Sequence, residues 1–259
     1  MSIDETLETQ NAWLAHGRRG ALSVVLKVLK RPGDEWHSGE ILAAFDGRGA
    51  VRVYEYVPGA LLMERLSPGT SLVNLSLSGR DDEATDILAG VIDRMSPRGP
   101  ERACPSVEDW GKGFGAHASG NIPDALVAEA GQVFEELSRS QTNQKLLHGD
   151  LHHYNVLFDR ERGWLAVDLK GVVGEIEYEI GAALRNPVER PELFADTATV
   201  ERRLTSFASK LGIDADRALR WTFAQAVLAV IWKLEDGVQV APEDAFIRLA
   251  ETVRPMFVI

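Results

Sequence analysis

The sequence predicts an α+β fold in which a small β-rich lobe at the N-terminus is followed by a larger helical lobe. Three observations predict it: strand-like patterns fill the first 66 residues, helical periodicity dominates afterwards, and two short strand patterns interrupt the helices. The 259 residues are 45% apolar and 26% charged, as in a folded chain with a core. Neither a repeat nor a Pro/Gly/Ser-rich divider separates the chain, so we expect two closely joined lobes, residues 1–66 and 67–259.

The first lobe is predicted to contain strands around one short helix. Residues 24–29 form a run of β-branched residues and leucines that is typical of a buried strand. Asp34 is predicted to cap a short helix that carries Glu35 and Glu40. The remaining elements are a turn over 46–49, an alternating strand over 51–56, a turn at 58–59 and a strand over 60–63.

Helices dominate the second lobe. Apolar residues recur at helical spacing over 87–95, 126–137 and 204–211. Residues 221–234 are apolar nearly all round, so we expect that helix to be central. Between the helices, two strand patterns over 155–158 and 164–169 are joined by a polar turn over 159–163.

Charge and composition disfavour several functions. The chain has 28 basic and 39 acidic residues, a net charge of −11, which disfavours a nucleic-acid binder and suits a cationic substrate. The longest apolar run, 226–232, is too short to span a bilayer, and the acidic sequence MSIDETLETQ does not resemble a signal peptide. The single cysteine, Cys104, forms no internal disulfide. We therefore expect a cytoplasmic protein without a membrane or an obligate protein partner.

Candidate catalytic residues concentrate in one short stretch. Residues 148–158 read HGDLHHYNVLF, and residues 167–170 read VDLK. Phosphoryl transfer needs a carboxylate that orients the attacking hydroxyl, oxygen ligands for Mg²⁺ and a cation for the donor phosphates. Asp150 and Asn155 are five positions apart, the spacing of the kinase catalytic loop, and Asp168 ends the following strand. These positions predict three side chains on one rim.

A metal site formed by histidines is the alternative interpretation of this stretch. His152 and His153 would point to opposite sides of an extended chain, which is a poor geometry for binding one metal ion. The zinc-protease motif and the G-x-S-x-G nucleophile motif are both missing from the sequence. We therefore favour His148 and His152 as hydrogen-bond partners that shape the loop.

The motifs HGDLHHYNVLF and VDLKGVVGE resemble the catalytic and metal motifs of the aminoglycoside phosphotransferase superfamily, whose fold resembles that of protein kinases. More narrowly, the chain resembles the aminoglycoside/hydroxyurea antibiotic resistance kinase family, which includes streptomycin 6-phosphotransferases. The resemblance covers residues 21–190. Its supporting segments are 34–35 (DE), 47–52 (GRGAVR), 62–66 (LMERL), 171–175 (GVVGE) and 184–187 (LRNP).

The resemblance implies a bilobal, protein kinase-like fold and a small-molecule kinase. Such an enzyme transfers the γ-phosphate of ATP to a hydroxyl of an aminoglycoside-like or other small acceptor. By this resemblance Asp150 is the catalytic base, and Asn155 and Asp168 hold Mg²⁺ on the nucleotide phosphates. Lys27 corresponds to the strand lysine that contacts the α- and β-phosphates.

The resemblance also implies a partner for the lysine and a hinge for the adenine. Glu35 is our choice for the partner, with Glu40, about one helical turn further on, as the alternative. Residues 63–66 correspond to the hinge between the lobes, where the adenine meets backbone groups of Glu64 and Leu66.

The sequence departs from the family pattern at several positions. A Gly-rich phosphate loop is missing before Lys27, and we interpret residues 16–20 (HGRRG) as a reduced turn in its place. Leu169 stands where the family has proline, Tyr154 replaces an acidic residue and Glu179 replaces an aspartate. A catalytically idle, kinase-like protein that binds a nucleotide or small ligand is therefore the alternative function.

Overall fold

A computed structural model describes residues 2–95, 104–116 and 122–257. The strands are β1 (Ser2–Glu8), β2 (Ala12–Arg19), β3 (Leu22–Leu29), β4 (Val53–Val57), β5 (Ala60–Glu64), β6 (Pro68–Ser71), β7 (Lys145–Leu147), β8 (Val156–Asp159), β9 (Gly163–Ala166) and β10 (Val172–Gly174). The helices are α1 (Ser38–Ala44), α2 (Val73–Leu77), α3 (Asp81–Arg94), α4 (Val107–Gly111), α5 (Gly113–Ala116), α6 (Asp124–Arg139), α7 (Ile176–Leu184), α8 (Thr197–Leu211), α9 (Ala215–Glu235) and α10 (Ala245–Val253). Within these described ranges, a β-sheet lobe is followed by a helical lobe, and the predicted α+β class is confirmed.

The first lobe is built on an antiparallel sheet with the strand order β1-β2-β3-β5-β4. The predicted apolar strand lies within β3, which pairs with β2 on one side and β5 on the other. Leu14 and Lys27 are direct cross-strand partners in β2 and β3, so their side chains share one face of the sheet. Helix α1 packs beside β4 and buries Ile41 and Leu42 in the core.

Two predictions for the first lobe are wrong. Segment 16–20 is not a phosphate turn, because it lies in β2 and in the tight turn into β3. The turn between β1 and β2 is instead formed by residues 9–11, where the Thr9 N–H donates to the Ala12 carbonyl at 2.9 Å. Strand β1 lacked an alternating apolar signal because all its residues are exposed. Gly33, not Asp34, holds the N-cap position of the 3-10 helix Asp34–His37 that precedes α1.

The helical lobe is organised around α9. Every residue from Trp221 to Ile231 is buried, as the all-round apolar pattern predicted, and α6, α7 and α10 pack against this helix. Helices α3, α6 and α8 coincide with the three predicted periodic segments. No helix in the described ranges is both long enough and apolar enough to cross a membrane.

A small hairpin of β8 and β9 connects the two lobes. Strand β6 pairs with β8, and β8 pairs with β9 through the predicted polar turn. The end of β9 is also hydrogen-bonded to the first lobe. The Ala166 N–H donates to the Gly49 carbonyl at 2.8 Å, and the Val51 N–H donates to the Ala166 carbonyl at 3.0 Å. Asn155 immediately precedes this hairpin and Asp168 follows it two residues after its end.

Candidate active site

A cavity of about 550 Å³ lies between the sheet and the helical lobe. Apolar residues such as Val25, Leu61 and Leu157 line its walls, and residues 9–11 of the β1–β2 turn also line it. The residues predicted from the sequence that line it are Lys27, Glu35, Glu64, Leu66, Asn155 and Asp168. The fold therefore brings together residues that lie more than a hundred positions apart in the chain.

Lys27 on β3 is held by two carboxylates at this cavity. Its Nζ lies 2.7 Å from Glu35 Oε2 and also donates to Asp168 Oδ1. Burial lowers the pKa of Lys27, but the charges of Asp168 and Glu35 outweigh that effect and raise it above the ordinary value. The lysine is therefore fully charged at neutral pH. Of the two glutamates considered as its partner, Glu35 makes the contact.

Asp168 is placed by an unusual backbone conformation. Its φ is +60°, in the left-handed region that residues other than glycine rarely adopt. The preceding residue, Val167, is fixed because its N–H donates to the Asn155 carbonyl at 2.9 Å. The side chain of Asp168 remains 49% exposed, so its carboxylate is open to a ligand in the cavity. Strained conformations of this kind concentrate at functional sites.

Asn155 and Asp168 fit the requirements of a magnesium ion. The Asn155 Nδ2 group donates to the Asp150 carbonyl at 3.0 Å, which leaves the amide oxygen free to bind a cation. Mg²⁺ is usually held by one or two side-chain oxygens together with substrate phosphates and water. The described residues form no cluster of three or more His, Cys, Asp or Glu side chains that could hold a metal ion.

Asp150 lies among cationic groups. Arg185 Nη2 donates to its Oδ1 at 3.0 Å, and Lys170 Nζ and His152 Nε2 lie 3.4 and 3.7 Å from its Oδ2. Burial raises the pKa of Asp150, but the neighbouring His152, Lys170 and Arg185 hold it well below the ordinary range. Asp150 is therefore an ionised hydrogen-bond acceptor at neutral pH.

The histidines shape the loop around Asp150. His148 is fully buried, with its Nε2 bonded to the Val167 carbonyl at 2.9 Å and its Nδ1 accepting the Asp150 N–H at 3.2 Å. Burial lowers the pKa of His148 to about 4, so the ring is neutral. This neutral ring connects the loop to the strand that leads to Asp168. His152, in contrast, lies beside the Asp150 carboxylate itself.

The site residues predicted from the sequence do not include Lys170, Arg185 or Gln225. Arg185 belongs to the LRNP segment that supported the resemblance, and the structure shows it bonded to Asp150 and, through Nη1, to Gln225 Oε1 at 3.1 Å. Gln225 interrupts the otherwise apolar run 223–232 of α9, and this was the available signal for the contact. Lys170 had a weaker signal, its position two residues after Asp168.

Glu64 and Leu66 lie at the end of β5 and just beyond it, at the cavity edge. The Glu64 side chain is occupied by other groups, since its Oε1 accepts the Arg52 N–H at 2.7 Å and an Arg162 guanidinium N–H. The Glu64 carboxylate is therefore engaged in contacts within the protein.

An antiparallel sheet with a Lys–Glu pair, above a helical lobe with an Asp-x4-Asn loop and a second aspartate, defines a protein kinase-like phosphotransferase. The chain belongs to the aminoglycoside/hydroxyurea antibiotic resistance kinase family, whose family model matches residues 6–237.

Curated relatives support the same family. The streptomycin 3''-kinase of Klebsiella pneumoniae is 36% identical over 239 residues, covering 90% of this chain and 88% of the relative. The hydroxyurea phosphotransferase of Kitasatospora aureofaciens is 32% identical, with 86% and 69% covered, and the streptomycin 6-kinase of Streptomyces griseus is 30% identical, with 86% and 74% covered. The chain is accordingly a small-molecule kinase that phosphorylates a hydroxyl group, and these relatives give no support to an idle binding protein.

Solved structures show the same fold at low sequence identity. An aminoglycoside phosphotransferase in a complex with ADP and hygromycin B matches with a TM-score of 0.69 and 16% identity, covering 98% of this chain and 94% of that one. A choline kinase from Streptococcus pneumoniae matches with a TM-score of 0.62 and 16% identity, covering 97% and 94%.

Proposed function

We propose that this kinase transfers the γ-phosphate of ATP, with Mg²⁺, to a hydroxyl of a streptomycin-like aminoglycoside. The observation that carries the proposal is the convergence of Lys27, Asn155 and Asp168 on one cavity, with Asp150 beside them. The streptomycin kinases among the relatives support the acceptor class. The net charge of −11 also favours a cationic acceptor.

The nucleotide would lie along the cavity with its base at the hinge. We propose residues 63–66 as the hinge between lobes 1–66 and 67–259, with backbone groups of Glu64 and Leu66 meeting the adenine. The apolar walls suit a planar base, and the charged Lys27 would hold the α- and β-phosphates. Residues 9–11 line the cavity, and the backbone N–H groups of Gln10 and Asn11 would support the phosphates without a Gly-rich loop.

Asn155 and Asp168 would hold Mg²⁺ on the phosphates. When bound, the ion would neutralise charge that develops on the transferred phosphoryl group. Because Lys27 already pairs with Asp168, the same carboxylate would be shared between the ion and the lysine. In this proposal the lysine and the metal ligand would act on the same phosphates.

Asp150 would orient the acceptor hydroxyl and take its proton. Its low pKa makes it a weak base, which suits phosphoryl transfer because the proton needs to move only late in a loose transition state. Arg185 would keep the carboxylate aimed at the acceptor. We place the reaction in the cytoplasm, a location supported by the single cysteine.

Thermal unfolding with ATP, with and without Mg²⁺, tests the nucleotide site. We expect Mg²⁺-dependent stabilisation by ATP that is lost in Asp168→Ala, because only the native state binds the ligand. Streptomycin and hydroxyurea are then offered as acceptors, and the product is identified by mass spectrometry. If only hydroxyurea is phosphorylated, the acceptor is hydroxyurea and not an aminoglycoside. If millimolar nucleotide does not stabilise the protein, the proposal is contradicted.

A further inference from the structure

The turn between β8 and β9 holds the chain within the proposed hinge and directly after it. Asp159 Oδ2 accepts the N–H of Ser67 at 2.9 Å, and the Ser67 carbonyl accepts the N–H of Arg160 at 2.9 Å. Within the hinge itself, the Arg162 guanidinium donates through Nη1 to Glu64 Oε1. The turn therefore contacts the residues at which the chain leaves β5 and enters β6.

Arg162 also binds the segment 47–52, which the sequence resemblance singled out without a role. Its Nη2 donates to the Gly47 carbonyl and lies 3.5 Å from the Ala50 carbonyl. A Cβ on Gly47, whose φ is +72°, would lie 3.3 Å from that Nη2 and 2.7 Å from Arg52 Cγ, so glycine leaves room for the guanidinium. The same segment donates the Arg52 N–H to Glu64 Oε1 at 2.7 Å.

The opposite end of the hairpin carries the proposed metal ligands. Strand β8 begins directly after Asn155, and β9 ends two residues before Asp168. The strands pair without a register shift from Val156–Ala166 to Asp159–Gly163. At about 3.4 Å per residue, this ladder spans roughly 10 Å between the two ends. One short, regular hairpin thus joins the hinge to the metal-binding end of the cavity.

We propose that Arg162 is a positioning residue that holds the hinge in register with Asn155 and Asp168, so that base and phosphates of one nucleotide reach both ends together. The side chains of Arg162 and Glu64 are only 19% and 11% exposed, and a shielded, charge-assisted pair is stronger than a surface ion pair. The inference rests on the proposed nucleotide site. Beyond that site, we infer that the Arg162–Glu64 contact determines the affinity for the nucleotide.

Four variants separate positioning from mere stability. Arg162→Met removes the guanidinium fork, and Arg162→Lys keeps the charge without the fork. Glu64→Gln keeps an acceptor for the Arg52 N–H but removes the charge. Arg160→Met is the matched control, because Arg160 is exposed on the same turn and contacts Ser67, just after the hinge, through its backbone. For each protein, calorimetry gives the Kd of ADP in EDTA and of ATP with Mg²⁺, well below the unfolding temperature.

We expect Arg162→Met to weaken the binding of both nucleotides about tenfold, and Glu64→Gln to weaken it by the same factor. The double variant should bind only slightly more weakly than either single variant. Arg162→Lys should lie between wild type and Arg162→Met, and Arg160→Met should stay within twofold of wild type. In turnover assays the KM for ATP should rise while kcat and the KM for the acceptor hold.

A lowered unfolding temperature with nucleotide Kd values within twofold of wild type would overturn the inference and leave Arg162 a structural residue. If Arg162→Met does not fold, Arg162→Lys and Glu64→Gln decide by the same criterion. Wild-type protein that binds neither ADP nor ATP contradicts the proposed function itself, and the inference with it.

Discussion

The carboxylate of Glu179 accepts a hydrogen bond from the backbone N–H of Gly149 at 3.2 Å. A further bond from the Leu151 N–H at 3.3 Å places the carboxylate across both neighbours of Asp150. Gly149 has φ +84°, and a Cβ there would lie 2.7 Å from the Trp110 ring. Helix α7 therefore fixes the backbone that carries the proposed base.

Replacing Glu179 by Gln should change how stability depends on pH. Burial raises the pKa of Glu179 from 4.5 to about 7, although the backbone N–H donors oppose that rise. Between these values the folded state holds a proton that the unfolded state has lost, so this group's contribution to stability falls as pH rises and is constant above about 7. The Glu179→Gln variant lacks this loss. Its free energy of unfolding relative to wild type should therefore rise across this pH range, by about 1.4 kcal/mol for each unit by which the pKa of Glu179 is raised.

Urea unfolding of both proteins at several pH values between 5 and 8 measures this difference. The glutamine keeps one oxygen for the Gly149 and Leu151 N–H groups, so the loop remains supported. Parallel stability curves for the two proteins would show that Glu179 does not titrate in this range.

Asp150→Asn should lower kcat by about 10²–10⁴ while nucleotide affinity stays within a few-fold of wild type, because the base acts on the acceptor. Asparagine keeps an oxygen for the Arg185 donor that lies 3.0 Å from the carboxylate. Since the pKa of Asp150 is held well below its ordinary range, we expect no loss of activity from its protonation between pH 6 and 8. Steady-state kinetics and ADP calorimetry test both statements; lost nucleotide binding would assign Asp150 a structural role instead.

Periodicity was sufficient to predict the large elements of this fold. Helix α9 is buried on nearly all sides, and strand β3 lies in the interior of a sheet. Both kinds of burial produce a continuous run of apolar residues in the sequence. Strand β1 could not be found in this way, because it is exposed along its whole length and is held by pairing with β2. The β1–β2 turn was consequently misplaced.

The residues of the candidate site also differ in how far the sequence alone predicts them. Asp150, Asn155 and Asp168 belong to one short stretch with recognisable spacing, so the sequence alone predicts that they lie on one rim. Asn155 and Asp168 line the cavity, and Asp150 contacts Asn155 beside it. Arg162 is 98 positions from Glu64, and a charged residue in a polar turn looks like any solvated residue. Contacts of that kind depend on the packing of two lobes and have no local pattern.

The choice between Glu35 and Glu40 as partner of Lys27 can be tested directly. Glu35→Gln weakens one of the two charged contacts of Lys27, so we expect the KM for ATP to rise about tenfold. Glu40→Gln, one helical turn away, is the matched control and should change the KM less than twofold. A larger effect of Glu40→Gln would mean that Lys27 changes partner when the nucleotide binds.

Arg203→Met should destabilise the protein without changing nucleotide affinity. Arg203 is 1% exposed, donates to both Asp81 oxygens at 2.9 and 2.6 Å, and bonds the Asn186 carbonyl at 2.7 Å. Removing one partner of a buried pair costs about 3–5 kcal/mol. Arg202→Met is the control, because Arg202 contacts the same carboxylate at 2.8 Å but is 39% exposed, and its loss should cost at most about 1 kcal/mol.

The pH dependence of this loss identifies the charge of Asp81 as its cause. Burial raises the pKa of Asp81, but Arg203 and Arg202 outweigh it and bring the pKa below the ordinary value of 3.8. The pair therefore stabilises the fold above that pH, and its contribution fades as the pH falls further and Asp81 is protonated. In urea unfolding, the difference between wild type and Arg203→Met should be constant from pH 6 to 8 and shrink in acid. A difference that persists unchanged in acid would attribute the loss to packing of the arginine side chain and its bond to Asn186.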